Sequence, residues 1–240
     1  MKAGIAVAAL ALAAGLVSAA PPPAAPPAPG EYATQPGGGT LTVRRNARGN
    51  SEFSIFVVGA NAHTCDLGGW IEQGTGTVAG DTRCRVRFTS HGPAVDVTAL
   101  DEACRDYCGM RAVFERRYVR LPTACMPAER DRRNAAFLVD YRARRYAQAH
   151  AALVALQRDC GAFLDWISHD ALANDRAITE LHLGRAQACL HTLKDTRGAT
   201  LAGEAALRDA LAPTDYESYL PVAQATWTNL RLCRAALAKR

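Results

Sequence analysis

The sequence predicts an α+β protein: a disulfide-stapled antiparallel β meander or half-open barrel, followed by an α-helical hairpin domain. Three observations carry that expectation. The spacing of apolar residues changes from alternation to a helical period of about 3.6 near the middle of the chain. All eight cysteines lie in the part that follows an export-like leader. Successive blocks of the C-terminal half repeat one helical plan.

Residues 1–19 read as a secretory signal peptide. Lys2 supplies a positive start, "AGIAVAALALAAGLV" is an apolar run too short to span a bilayer comfortably, and cleavage after Ala19 leaves Val17 and Ala19 at the small-residue positions. No cysteine stands near that site to take a lipid, and no later stretch is long and uncharged enough for a membrane helix. The expected product is periplasmic or secreted, without stable membrane insertion. Residues 20–39 form a Pro/Ala/Gly-rich linker, since "PPPAAPPAPG" favours extended polyproline geometry over core packing.

Residues 40–121 alternate as strands do. In "RCRVRFT", Cys84, Val86 and Phe88 alternate with Arg83, Arg85 and Arg87, so one face is apolar and the other cationic. "TLTV", "EFSIFVVG", "AVDVTAL" and "MRAVFERRYV" are further β-branched or aromatic runs, separated by the turn sequences "NARGN", "GTGTVAGD" and "SHGP". Cys65, Cys84, Cys104 and Cys108 are disulfide candidates within this unit. In "CRDYCG", a helical segment would place Cys104 and Cys108 with Cβ atoms about 5–6 Å apart, beyond the roughly 3.5–4.5 Å of a disulfide. Each is then expected to pair elsewhere, or the segment is an irregular turn. The four cysteines allow three connectivities, and spacing alone does not choose among them.

Residues 128–240 form the helical domain. Phe137, Leu138, Tyr141, Tyr146, Ala149, Leu153 and Leu156 recur at three and four spacing, with Gly161 as a stop. A second block carries Trp166, Leu172, Ile178, Leu181, Leu190 and Leu193, and a third, "YESYLPVAQATWTNLRLCRAAL", ends the chain. Cys125, Cys160, Cys189 and Cys233 complete the disulfide candidates.

Two resemblances follow from these residues. "DYRARRYAQAHAAL" and "ITELHLGRAQACLHTL" resemble the middle of tetratricopeptide repeats: Arg144 and Gly184 stand in the turn, Tyr146 and Ala186 follow it, and Ala149 and Cys189 take the close-packing position. The copies are 40 residues apart, against about 34 in the standard repeat, and arginine replaces the usual glycine at 144. "AHTCDLGG", "CRVRF" and "CRDYCGMRAVF" are similar to cysteine-paired β modules of exported bacterial proteins, some of them lysozyme-inhibitor-like.

No motif points to catalysis, a cofactor or a metal. The chain has no G-x-S-x-G, no phosphate-binding glycine loop and no H-E-x-x-H, and "GGGT" precedes a strand rather than a helix. His63 near Cys65 suggests a metal site or a Cys-His nucleophile, but in an oxidising compartment Cys65 is expected to be held in a disulfide and so to be no thiolate, and His182 with Cys189 and His191 matches no standard zinc spacing. In "SHD", consecutive helical residues point in different directions and cannot form a triad. The acidic pairs Asp101 with Glu102, and Asp215 with Glu217, have helix capping and solvated surface as their commoner uses. Arginines concentrate between Arg111 and Arg145, yet the net charge of +5 is modest and an exported chain is not expected to meet nucleic acid.

These readings lead to an exported binding protein that recognises a protein or peptide partner of the cell envelope through a helical-repeat groove. Asp140, Arg144, Asn174 and Arg176 are the expected groove residues. The alternative is an inhibitor or immunity-type protein, carried by the β domain, against a lysozyme-like lytic enzyme. A lytic enzyme or an anionic wall polymer is the further partner class, and "DEACRD" is the acidic segment an inhibitor would use against a basic lysozyme. An exported hydrolase stands third.

Overall fold

A computed structural model describes residues 26–201 and 203–239; the signal peptide assigned to 1–19 and the first part of the linker lie outside the described residues. Eight strands succeed one another: β1 (Gly30–Thr34), β2 (Gly39–Arg45), β3 (Ser51–Val58), β4 (Thr64–Glu72), β5 (Thr75–Val78), β6 (Asp81–His91), β7 (Ala94–Ala99) and β8 (Arg117–Arg120). Each pairs antiparallel with the next, and β8 returns to β1 in the register Tyr32↔Arg120, Ala33↔Val119 and Thr34↔Tyr118, closing the barrel.

That closure corrects the expected open meander or half-barrel. The closing strand, β1, comes from the stretch assigned to the linker, where prolines and glycines on both sides conceal a short run whose last three residues are buried. Without it, β2 and β8 would be free edges. With it, no strand of the barrel presents an unpaired ladder to another chain.

Alternation builds the interior. Phe53, Ile55 and Val57 of β3 point inward, as do Cys84, Val86 and Phe88 of β6. Phe53 and Phe88 meet edge to face at 5.1 Å, a favoured aromatic geometry. Gly76 leaves room for both rings, because a Cβ there would lie 2.6 Å from Phe88 and 2.8 Å from Phe53. "CRDYCG" resolves as a 3₁₀ turn over Glu102–Tyr107. Its two cysteines diverge, Cys104 to Cys84 on β6 and Cys108 to Cys65 on β4.

Seven helices follow: α1 (Pro127–Arg142), α2 (Tyr146–Cys160), α3 (Trp166–His182), α4 (Ala186–Leu193), α5 (Arg197–Thr200), α6 (Glu204–Ala210) and α7 (Pro213–Ala238). Three-residue turns join α1 to α2 and α3 to α4, which makes each pair an antiparallel hairpin. Both turns use one hydrogen-bond scheme: Arg144 N–H to Tyr141 O and Arg145 N–H to Asp140 O in the first, Gly184 N–H to Leu181 O and Arg185 N–H to Glu180 O in the second. This is the Schellman cap, which requires a left-handed residue, here Arg144 (φ 58°) and Gly184 (φ 74°). Ala149 and Cys189 are fully buried behind these turns. The third block differs from the other two, being one 26-residue helix, α7, packed against α3, α4, α5 and α6.

Cys125–Cys160 ties the entry of α1 to the end of α2, and Cys189–Cys233 ties α4 to α7. The second bridges a sequence separation of 44, a closure that lowers unfolded-chain entropy by the equivalent of about 4 kcal/mol on the chain-entropy account. Every cysteine is paired, as befits an exported protein in an oxidising compartment. Among the described residues no helix is long and apolar enough to cross a membrane.

The two halves are joined end to side. Gly37 N–H donates to Leu164 O at 3.1 Å, and a Cβ at Gly37 would fall 2.3 Å from Phe163 O. Asn61, in the β3–β4 connection with φ 57°, makes a reciprocal pair with the start of α7. Its backbone N–H donates to Asp215 Oδ2 at 2.9 Å, and its Oδ1 accepts from Thr214 N–H at 3.0 Å.

Candidate functional site in the cleft between barrel and helices

Between those joints the halves leave two adjoining cavities of about 560 and 540 Å³ that share Trp166 and Arg197. The first is walled by Gln35 and Pro36 of the barrel and by Ala162, His169, Asp170, Asp195 and Thr200 of the helical half. The second runs along Gly37, Gly38 and Gly59 to Arg116, Asp165, Asp215 and Ser218.

Local chemistry at the start of α3 sets the floor. Asp165 is the N-cap: its Oδ1 accepts from the N–H groups of Ile167 and Ser168, both at 3.0 Å, and its Oδ2 accepts from the Ser168 hydroxyl at 2.6 Å. Trp166, the first helical residue, is thereby fixed with its ring 4.9 Å from that of Tyr219 on α7. On the same indole lies the Arg197 guanidinium, with Cζ 4.5 Å from the ring centroid, in cation–π range.

A buried network holds Arg197 from behind. Asp170 is 6% exposed; its Oδ2 accepts from Arg197 N–H at 2.8 Å and from the Tyr219 hydroxyl at 2.6 Å. The Tyr219 oxygen in turn accepts from Gly198 N–H at 2.7 Å, and Trp227 Nε1–H donates to Gly198 O at 2.7 Å. Burial first, and the bond to Asp170 second, push the Tyr219 phenol well above its ordinary value, so it stays protonated and donates. Gly198 is needed here because a Cβ would come within 2.9 Å of Thr226 Cβ and 3.2 Å of Ala223 Cα. His169 extends the network toward the cavity, its Nδ1 lying 3.5 Å from Asp170 Oδ1. "SHD" is therefore divided, with Ser168 turned back to the cap and His169 to Asp170.

The expected groove residues are dispersed. Asp140 accepts from the Arg145 guanidinium at 2.9 and 2.7 Å and so clamps the α1–α2 turn. Arg144 is exposed at the left-handed position of that turn. Arg176 reaches Glu180 at 3.5 Å. Asn174 corrects the expectation: it is 5% exposed, donating to Asp170 O, Val222 O and Thr226 Oγ1 and accepting from Asn229 Nδ2, so it clasps α3 to α7 and lines no groove. The histidine readings also end in structural roles. Cys65 is bonded to Cys108, Cys189 is bonded to Cys233, and His182 stacks on Tyr146 at 4.4 Å with Nε2 3.1 Å from the Tyr141 oxygen. Among the described residues no group of three or more metal-ligating side chains gathers.

Four of the ten arginines from Arg111 to Arg145 are neutralised by ion pairs. Arg117 pairs with Asp96, Arg132 with Glu129, Arg133 with Asp159 and Arg145 with Asp140, and these carboxylates are spread over both halves. The fork of Arg85 grips Asp101 at 2.9 Å on both oxygens and holds its carboxyl below the usual carboxylate range. The acidic segment "DEACRD" thus has its first charge already met. Asp215 is likewise committed to Asn61.

Sequence reasoning passed over the cleft residues. Trp166 read as core, and Arg197 carried no local signal, because the carboxylate that positions it stands 27 residues earlier. A comparison with family models, with curated proteins and with solved structures finds no match.

Proposed function

We propose that the chain is an exported, periplasmic binding protein that receives a protein or peptide partner of the cell envelope in the cleft between its barrel and its helical half. The observation that carries this reading is the cleft: two adjoining cavities of about 560 and 540 Å³ that share Trp166 and Arg197, walled by both halves and floored by an aromatic ring with a cation on it. Barrel closure favours the cleft over strand addition as the route to a peptide, since β1 and β8 have no free edge. The tetratricopeptide-like reading of the helical half draws support from the two hairpins with equivalent Schellman turns; such hairpins present binding surfaces by stacking. The inhibitor reading has less behind it, because the leading carboxylate of its acidic segment is tied to Arg85.

Ala162 lines the cleft and is exposed, so Ala162→Trp fills the cavity without touching a core. The oxidised full chain is immobilised, challenged with envelope extract, and compared with this variant. Retention of a defined partner by the wild type, weakened about tenfold or more (about 1.4 kcal/mol) by Ala162→Trp at unchanged melting temperature, is the expected result. Equal retention by both proteins rejects the cleft as the site.

A further inference from the structure

Arg197 is exposed, and its guanidinium makes no hydrogen bond and no ion pair with any described residue; it lies on the face of Trp166. Stacking engages the face of the cation and leaves the N–H donors at its edge without acceptors. Many surface arginines of the chain are free, but this one differs in being positioned. Its backbone N–H is held by buried Asp170, the next residue's N–H by Tyr219, and the next residue's carbonyl by Trp227. A donor fork held in place before the ligand arrives loses little entropy on binding.

We propose that the cleft recognises a free carboxylate on its ligand, a single negative charge received by the fork of Arg197 above Trp166. This rests on the reading of the cleft as the binding site. Guanidinium edges match carboxylates bidentately, and the carboxylates of the cavity wall disfavour a dianion more than a monoanion. Asp170 and Asp195 share the wall with Arg197, Asp195 beside Lys194 at 3.8 Å, so each further negative charge on a ligand adds repulsion from these carboxylates, and a dianion such as phosphate meets more of it than a carboxylate does. Asp170 makes no ion pair with the Arg197 guanidinium; its Oδ2 accepts from Tyr219 and from the backbone N–H of Arg197. Gln35, an exposed lining residue of the same cavity that makes no hydrogen bond among the described residues, is a further amide donor there.

The test uses three N-acetylated hexapeptide pools whose randomised positions exclude Asp and Glu. One pool ends in the free acid and one in the amide; a third is amidated and carries one Glu. Retention is measured on the oxidised full chain, on Arg197→Gln, on Arg197→Lys and on Ala162→Trp, with melting temperature as the folding control. The expected result is that the acid pool is held about tenfold more tightly than the amide pool. Arg197→Gln removes the difference, Arg197→Lys keeps part of it, and acetate displaces the acid pool better than inorganic phosphate at equal concentration. Equal retention of the Glu pool and the acid pool supports the carboxylate and assigns its source to a side chain as well as a chain terminus. Acid and amide pools held equally by the wild type and both lost in Ala162→Trp overturn the carboxylate while the cleft stands. Acid and amide pools held equally by the wild type and by Ala162→Trp overturn both. Stronger displacement by phosphate, or no retention of the acid pool, overturns the proposal.

Discussion

Asp175 shows how far one side chain can depart from its sequence neighbourhood. It stands in "AND" beside Asn174 on α3, partly buried, with a carboxylate that accepts no hydrogen bond from the described residues, and burial raises its carboxyl from 3.8 to about 6. Between those values the folded protein holds a proton that the unfolded chain has released. This group's contribution to stability therefore falls as pH rises from about 4 to about 6. Asp175→Asn is expected to raise the urea-unfolding free energy at pH 7 by up to about 3 kcal/mol, with the gain vanishing near pH 4. An unchanged difference between the two proteins across that range would show the carboxylate to be solvated. Nothing local distinguishes Asp175 from Asn174 or Arg176, since helix α7, about 50 residues further along, decides which polar side chain is clasped; Thr226 takes Asn174 across a separation of 52. Of the expected groove residues Asp140, Arg144, Asn174 and Arg176, Asn174 is buried for that reason.

At the level of elements, the hairpin turns were legible. Arg144 and Gly184 are equivalent by spacing, and both adopt the left-handed conformation that closes a Schellman cap. For arginine that conformation is unfavourable by about 1–2 kcal/mol, partly offset by the larger unfolded-state entropy of glycine. Arg144→Gly is accordingly expected to raise the urea midpoint by the equivalent of about 0.5–1 kcal/mol; a lowered midpoint would mean that the arginine side chain contributes a contact worth more than the strain. The strand pattern was equally legible in β3 and β6, where inward and outward residues alternate over most of their length. β1 was not, because Gly30–Thr34 is short, follows a proline tract, and takes its ladder from two partners, β2 and the distant β8.

For the molecule as a whole, the joint at Asn61 determines whether barrel and helices behave as one body. Asn61→Ala removes the bond to Thr214 and disfavours the positive φ that presents the backbone N–H to Asp215. Two hydrogen bonds of this kind contribute roughly 1–3 kcal/mol together. Calorimetry of the variant is expected to show unfolding broader or more divided than that of the wild type, with ligand retention in the cleft reduced; unfolding identical to wild type would place the coupling elsewhere, at Gly37 or the second cavity wall. The sequence by itself determined that the chain has a β half and a helical half, that its cysteines pair, and where the hairpin turns lie. Period, composition and turn chemistry are properties of neighbouring residues and survive without a fold. The closing of the barrel, the choice of cysteine partners, the burial of Asn174 and the cleft of Trp166 and Arg197 were decided only by tertiary structure. Each joins groups separated by 20 or more residues in the chain, and no local pattern records which distant surface will exclude the water.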